Sequence, residues 1–432
     1  VPPPERAAPG RLLSAFVALV LGAATPAPQG AGQTGERAAA PQELREQRQP
    51  RSVPTEMSAA EARPAKELAL QWICDTQRAD GSWGSSTPAT TSELGFSIES
   101  FHAWRVASHA LALEALRTAE PNPRRADALE RGLVWLCTAR LPLRGSDWDN
   151  DAVWSALYGS VACAALARDA RFAAPAWQEL LSTRGREFVA QLERNQVPDG
   201  GWGYYDDPIY SSRPKWGTSF STALVLPTLR SALELGWLED ARVLERAQRY
   251  VQACALPGGA YSYSLDPIPA LRGGEHINLI KGSLGRTQVC NWALAQLGDQ
   301  RVPPERLRRG LDAFFEHHRF LDVARLRPVP HEAYYQNAGY FYFFGHYYAA
   351  QAIECLPPQE REEWHRKLRP HLVKTQNQEG HVNDFFGTGM RLASTSFLAL
   401  ALELGEARVD ATNGAATSAT TDVAPQAVEG KR

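Results

Sequence analysis

The chain has 432 residues, 44% of them apolar, and a formal net charge of −2. That is enough apolar material for a large core, and no basic block stands out, which excludes nucleic acid as a main partner. With 12 Trp and 13 Tyr but only 2 Met, the aromatics either line a cavity or fill repeat cores.

The N-terminal stretch reads as an export signal. Arg6 and Arg11 precede the apolar run Leu12–Leu21, and small residues follow at Gly22–Ala24 and Ala27. Residues 1–27 are assigned to this signal, implying a periplasmic or extracellular home. The run is short for a membrane span, but an uncleaved anchor would place the chain at a membrane surface. Residues 28–57 are rich in Pro, Ala and Gln and read as a disordered linker. Residues 58–405 are the expected folded domain, and the small, polar residues 406–432 are read as a disordered tail.

Inside the domain one pattern recurs. Gln77-Arg-Ala-Asp-Gly-Ser-Trp83 is repeated as Gln196-Val-Pro-Asp-Gly-Gly-Trp202 and, in altered form, as Gln376-Asn-Gln-Glu-Gly-His-Val382. Gly tolerates the left-handed backbone that ends a helix. The Gln amide can serve peptide groups left unpaired there, and Trp covers the turn with an apolar face. Aligning on the Gln gives six registers, at Gln77, Arg140, Gln196, Ala255, Arg319 and Gln376, spaced near sixty residues apart. Each unit has room for two helices. The first helices (65–76, 128–139, 184–195, 241–253, 304–318 and 362–375) carry Arg, Glu and Gln on one side. The second helices (104–118, 152–167, 218–235, 284–297, 338–355 and 394–404) are rich in Ala, Leu and Ser, as in Val153–Leu166. An outer ring with one wet face and an inner ring buried all round follow. Neither end hairpin is more polar than the rest, as an open solenoid would require. The expected fold is all-α, a single closed (α/α)6 toroid of six helical hairpins.

Lys66, Trp72, Ile73, Gln77, Gly81 and Trp83 resemble, in order and spacing, the Gln–Trp repeat of squalene and oxidosqualene cyclases, and Gln196, Gly200 and Trp202 repeat its core. Over about 65–405 the chain resembles the α/α toroid shared by those cyclases and the protein prenyltransferase β subunits. Triterpene cyclases carry two such barrels; this chain has room for one.

Chemistry is expected first at Ser146-Asp-Trp-Asp-Asn-Asp-Ala-Val-Trp154, in the loop entering the second inner helix. Three carboxylates in five residues raise one another's pKa, and an apolar cavity raises them further. A neutral acid there could protonate an alkene or epoxide beside cation-stabilising aromatics. The run resembles the Asp-x-Asp-Asp acid motif of class II cyclases, which implies Asp149 as proton donor, with Asp147 beside it and Asn150 where the last acid would stand. Asp151 follows one residue later. The catalytic candidates are Asp149, Asp147 and Asp151. The structural alternative makes Asp147 or Asp149 an N-cap and sets Asp151 against the helix dipole.

Trp148, Trp154, Tyr205, Tyr342 and His346 are the expected substrate-binding residues. Tyr342 and His346 share a helix face within His331–His346, which is either a polar wall of a cavity or a packed aromatic core. His276 and Asn278 are placed at the rim of the same mouth. No metal and no cofactor is expected: the Asp-x-Cys of a prenyltransferase zinc site is absent. The six cysteines have no metal spacing and read as buried small apolar residues rather than disulfides. Three functional readings follow: a terpenoid-cyclase-like enzyme protonating an isoprenoid lipid, an exported polysaccharide lyase or hydrolase, and a non-catalytic binding toroid.

Overall fold

The computed structural model describes residues 54–84, 98–143, 151–203, 216–266, 275–385 and 390–417, the last eleven as backbone only. Residues 1–27 with their expected signal, and most of the linker, lie outside the described residues.

Helices and turns make up the described chain, apart from two isolated bridges, Trp202 with Thr218 and Ala255 with Tyr261. The hairpins pair outer α1 (Ala59–Asp75) with inner α2 (Ile98–Thr118), α3 (Pro123–Thr138) with α4 (Val153–Ala167), and α5 (Pro175–Asn195) with α6 (Ser219–Glu234). They continue with α7 (Arg242–Ala253) and α8 (Leu284–Gln296), then α9 (Pro304–Glu316) and α11 (Phe341–Glu354), and end with α12 (Pro358–Val373) and α13 (Arg391–Thr417). A short α10 (Arg319–Ala324) sits inside the fifth unit. The backbone of α13 stays helical past Gly405, where the sequence places the end of the folded region.

Local chemistry sets the outer helix starts. Ser58 and Glu61 form a capping box on α1. Asn122 caps α3 through the amide of Arg125. Proline occupies the first turn of α3, α5, α9 and α12, where its missing N–H costs nothing. Outer helices bury one stripe only: α7 buries Val243, Ala247, Tyr250 and Val251 and leaves Arg242 and Arg249 exposed. Inner α4 buries twelve residues, from Val153 to Leu166.

The inner helices form a closed ring. Each packs on the next, α2 on α4, α4 on α6, α6 on α8, α8 on α11, α11 on α13, and α13 back on α2. Where α8 meets α11, Gly285 faces Gly345 so closely that a Cβ on the first would stand 3.2 Å from the Cα of the second. The outer ring closes too. Met57 N–H donates to Arg366 O at 3.0 Å, and Lys66 of α1 bridges Glu403 and Glu406 of α13. The fold is an all-α toroid, closed as the sequence predicts.

The recurring Gln turn links the units. Gln77 Nε2 donates to Gly81 O at 3.0 Å and to Ala128 O of α3 at 2.8 Å. Gln196 donates to Gly200 O and Val243 O of α7, both at 2.8 Å. Gln376 donates to Gly380 O and Ala65 O of α1, both at 2.8 Å. One amide thus closes its own turn and fastens the next outer helix. The Trp N–H points backward: Trp83 Nε1 donates to Ile73 O at 2.7 Å, and Trp202 Nε1 to Leu192 O at 2.8 Å. Ala255–Tyr261 makes the same turn without the Gln, its Leu256 N–H donating to Ala260 O at 2.9 Å. Gly81, Gly200, Gly259 and Gly380 occupy matching places with φ of 82°, 105°, 93° and 102°.

All six cysteines are free thiols, and Cys74, Cys163, Cys254 and Cys290 are buried. No helix among the described residues is long and apolar enough to cross a membrane.

Candidate functional site

Each inner helix begins at the end of a loop arriving from its outer partner, so the inner N-termini share one end of the toroid. Asp151 stands there, immediately before α4. Its backbone N–H donates to Ser100 Oγ of α2 at 3.2 Å, and its carboxylate is hydrogen-bonded by the side chains of Trp104 and Trp154. The two indoles stack, with centroids 5.0 Å apart. Burial pushes the Asp151 carboxyl up to about 6, although the indole N–H groups favour the charged form. It keeps some water-accessible surface.

Aromatic rings extend from this acid. Trp154 stacks on Phe220 of α6 at 6.1 Å; Phe220 meets Tyr263 at 5.4 Å and Phe341 of α11 at 5.2 Å. Tyr263 hydrogen-bonds Tyr340, and the Asp151 charge acts on both phenols, whose pKa values burial has already raised. Tyr340 Oη lies 2.7 Å from His331 Nε2. Because His331 Nδ1 faces the Gln336 carbonyl at 2.7 Å, Nδ1 carries the proton and Nε2 accepts from the phenol. Burial lowers the His331 pKa to about 4, so the ring is neutral. Arg286, 1% exposed, lies over Tyr263 at 5.3 Å; it donates to Ile277 O, while its Nε has no partner. Burial lowers its pKa to about 10, and it stays charged.

The loop supplying His331 and Tyr340 is strained. Leu326, His331, Tyr335 and Gln336 have φ between 56° and 63°, a region that non-glycine residues occupy at a cost. Below Asp151 the lumen is filled by rings. Tyr158 of α4 hydrogen-bonds Tyr348 of α11, across the ring, and Phe397 of α13 touches Tyr158 and Phe344 at 6.0 and 6.2 Å.

The expected site residues divide into three groups. Asp151 and Trp154 meet at the mouth. Asp147, Trp148, Asp149 and Tyr205 lie outside the described residues. Tyr342 and His346 are neighbours, with centroids 4.4 Å apart, but they point away from the lumen, opposite Phe341, Phe344 and Tyr348. Tyr342 Oη donates to His371 O at 3.1 Å in the outer layer. Asn278 supports the mouth by accepting the Tyr263 N–H at 2.8 Å, and His276 Nδ1 accepts the Asn278 N–H at 3.0 Å. Trp104, Tyr263 and Arg286 are the mouth residues the sequence does not single out. Only Trp104 leaves a signal there, as the first residue of an expected inner helix.

No model of a known protein family matches the chain, and no curated protein matches it. Solved structures do. The Lin0763 protein of Listeria innocua is similar with a TM-score of 0.50 and 12% identity, over 82% of this chain and 99% of its own. This likeness supports the fold alone. The α-1,6-mannanase of Salegentibacter is similar at a TM-score of 0.47 and 12% identity, over 80% of this chain and 99% of that one. The type II terpene cyclase MstE of Scytonema is similar at 0.46 and 11% identity, over 81% and 98%.

Proposed function

We propose that the chain is a class II terpene-cyclase-like isomerase that protonates an isoprenoid, with Asp151 as an acid of the reaction. The observation that carries this reading is a carboxyl pushed up to about 6, hydrogen-bonded by two stacked indoles and followed by a wall of rings. A neutral carboxylic acid is needed to add a proton to an alkene or epoxide. In that step the Asp151 O–H bond breaks, a C–H or O–H bond forms on the substrate, and the cation is left beside Trp154 and Phe220. Aromatic faces stabilise such a charge. The indole N–H groups hold the carboxylate that remains. Loss of a proton from the cyclised cation completes the isomerisation, and the neutral His331, reached through Tyr340, is a base for it. Asp149, in the position of the cyclase donor, belongs to the same acidic run.

The test incubates the chain and its Asp151→Asn and Asp149→Asn variants with squalene and with linear prenyl diphosphates. Products are read by gas chromatography–mass spectrometry. A cyclic product lost in Asp151→Asn supports this assignment; one lost only in Asp149→Asn moves the acid two residues upstream. Folded protein that yields no product removes the cyclase reading.

A second reading rests on the filled lumen: Tyr158 and Tyr348 meet across the ring, which favours a toroid that binds a lipid at its mouth without transforming it. Such a protein would retain an isoprenoid unchanged. The exported home expected from residues 1–27 is part of neither test.

A further inference from the structure

His318, at the start of α10, His346, in the middle of α11, and His371, in the last turn of α12, meet between the inner and outer layers. One ring nitrogen from each lies within 4.8 Å of the other two. His318 and His346 are buried and His371 is partly exposed.

The proton positions on two of these rings can be deduced. His318 Nδ1 faces Asp322 Oδ2 at 3.0 Å, and His346 Nδ1 faces Tyr342 O at 2.6 Å. A carboxylate and a carbonyl only accept, so both Nδ1 atoms carry hydrogen. Each neutral ring then presents a bare lone pair at Nε2, yet the two Nε2 atoms stand 2.8 Å apart. Two acceptors at that distance repel unless a positive species lies between them. A proton between them would engage these two rings alone, whereas a metal ion would also take up the ring nitrogen that His371 brings within 4.8 Å of both.

We propose that His318, His346 and His371 bind a divalent transition-metal ion, zinc or one of similar ligand preference. Neutral imidazole nitrogens suit such ions. With each nitrogen about 2.0 Å from the metal in tetrahedral geometry, the two Nε2 atoms would sit roughly 3.3 Å apart, so the pair opens by only a few tenths of an ångström. The surroundings fit as well. Asp322 behind His318 forms the carboxylate–histidine arrangement that orients a metal ligand. The one Tyr342 hydroxyl hydrogen, shared with His371 O, also faces Asp322 Oδ1 at 3.3 Å, and Lys374 Nζ holds the same oxygen at 2.7 Å. The Asp322 side chain is 38% exposed, which leaves a route from solvent. The ion would tie the outer helix of the sixth unit and the short α10 to inner α11.

The test uses untagged full chain stripped with a chelator and titrated with Zn²⁺ and with Co²⁺. The expected result is one Zn²⁺ per chain by elemental analysis after gel filtration, the intense visible bands of tetrahedral Co²⁺, and a higher Tm with Zn²⁺. His371→Gln, at the most exposed ligand, is expected to weaken binding at least tenfold and to bleach the cobalt bands. Asp322→Asn is expected to weaken it about 10–100-fold as a positioning residue. Folded, stripped wild-type chain that takes up neither ion overturns the proposal. So does uptake whose affinity and spectrum are unchanged in His371→Gln. The wild-type cobalt spectrum decides the matter even where a variant fails to fold.

Discussion

Gln376, in the last unit, donates a 2.8 Å hydrogen bond to the carbonyl of Ala65 in the first helix. The same amide holds Gly380 O at 2.8 Å. Gln376→Leu strands two acceptors at the seam of the ring. A loss of about 2–6 kcal/mol in urea unfolding is expected, since each unpaired buried polar group costs about 1–3 kcal/mol. Gln196→Leu should cost more than Gln77→Leu, because Gln196 Oε1 also accepts from Arg246, whereas Gln77 Oε1 has no partner. Equal losses at the two positions would contradict that ranking.

The turn glycines should separate backbone strain from crowding. A Cβ at Gly200 would stand 2.5 Å from Arg246 O, while one at Gly236 meets nothing within 4 Å. Both have positive φ, 105° and 65°. Gly236→Ala should cost about 1–2 kcal/mol, the left-handed penalty alone. Gly200→Ala should cost clearly more and lower Tm further, because the neighbouring helix must also move.

Lys66 is 5% exposed in its side chain and bridges Glu403 and Glu406. Lys66→Met leaves Glu403 without its cation, while Glu406 keeps Arg63. Breaking a buried pair by removing one partner costs about 3–5 kcal/mol. The thermal scan should show a drop at neutral pH that shrinks in acid, where the carboxylates are protonated.

Asp151 makes stability fall as pH rises. Its ordinary carboxyl value is 3.8, and in the fold it titrates at about 6. Between those values the folded state binds more protons than the unfolded state, so folding weakens from about pH 4 to pH 6 and then levels off. A shift of two units corresponds to about 3 kcal/mol. Asp151→Asn should therefore match the wild type near pH 4 and exceed its stability by up to about 3 kcal/mol at pH 7.5. Asp384, also pushed up to about 6 by burial, keeps its own share of the slope in the variant. If Asp151 is the acid of a reaction, the same variant gains stability while losing turnover, and kcat/KM of the wild type declines above pH 6.

The hairpins were legible because their signals are local. A Gln, then a Gly four residues on, then a large ring fix the turn, and α7 and α9 start and stop within two residues of the expected bounds, while α3 starts five residues early, at Pro123. The ring's closure was legible by elimination, from the lack of polar end units. The mouth was only half legible. Asp151 and Trp154 lie in one acidic run, whereas Tyr263, Arg286 and His331 come from other units and are joined only by the toroid. Tyr342 and His346 show the limit of helix spacing: it puts them on one face but does not say whether that face turns to the axis or to the outer layer. The pairing of His318 with His346 and His371 had no signal in spacing, because the three come from separate helices.

Because the last hairpin is bolted to the first, the ring of described helices has no end unit from which to unravel. Linear stacks of helical pairs open from their termini, one unit after another. Here, hydrogen exchange in α1 and α12 should be as slow as in α5 and α7. Only loss of the whole seam, the Gln376–Ala65 bond together with the Lys66 bridges and the packing of α13 on α2, would turn the hoop into a strip with two fraying edges.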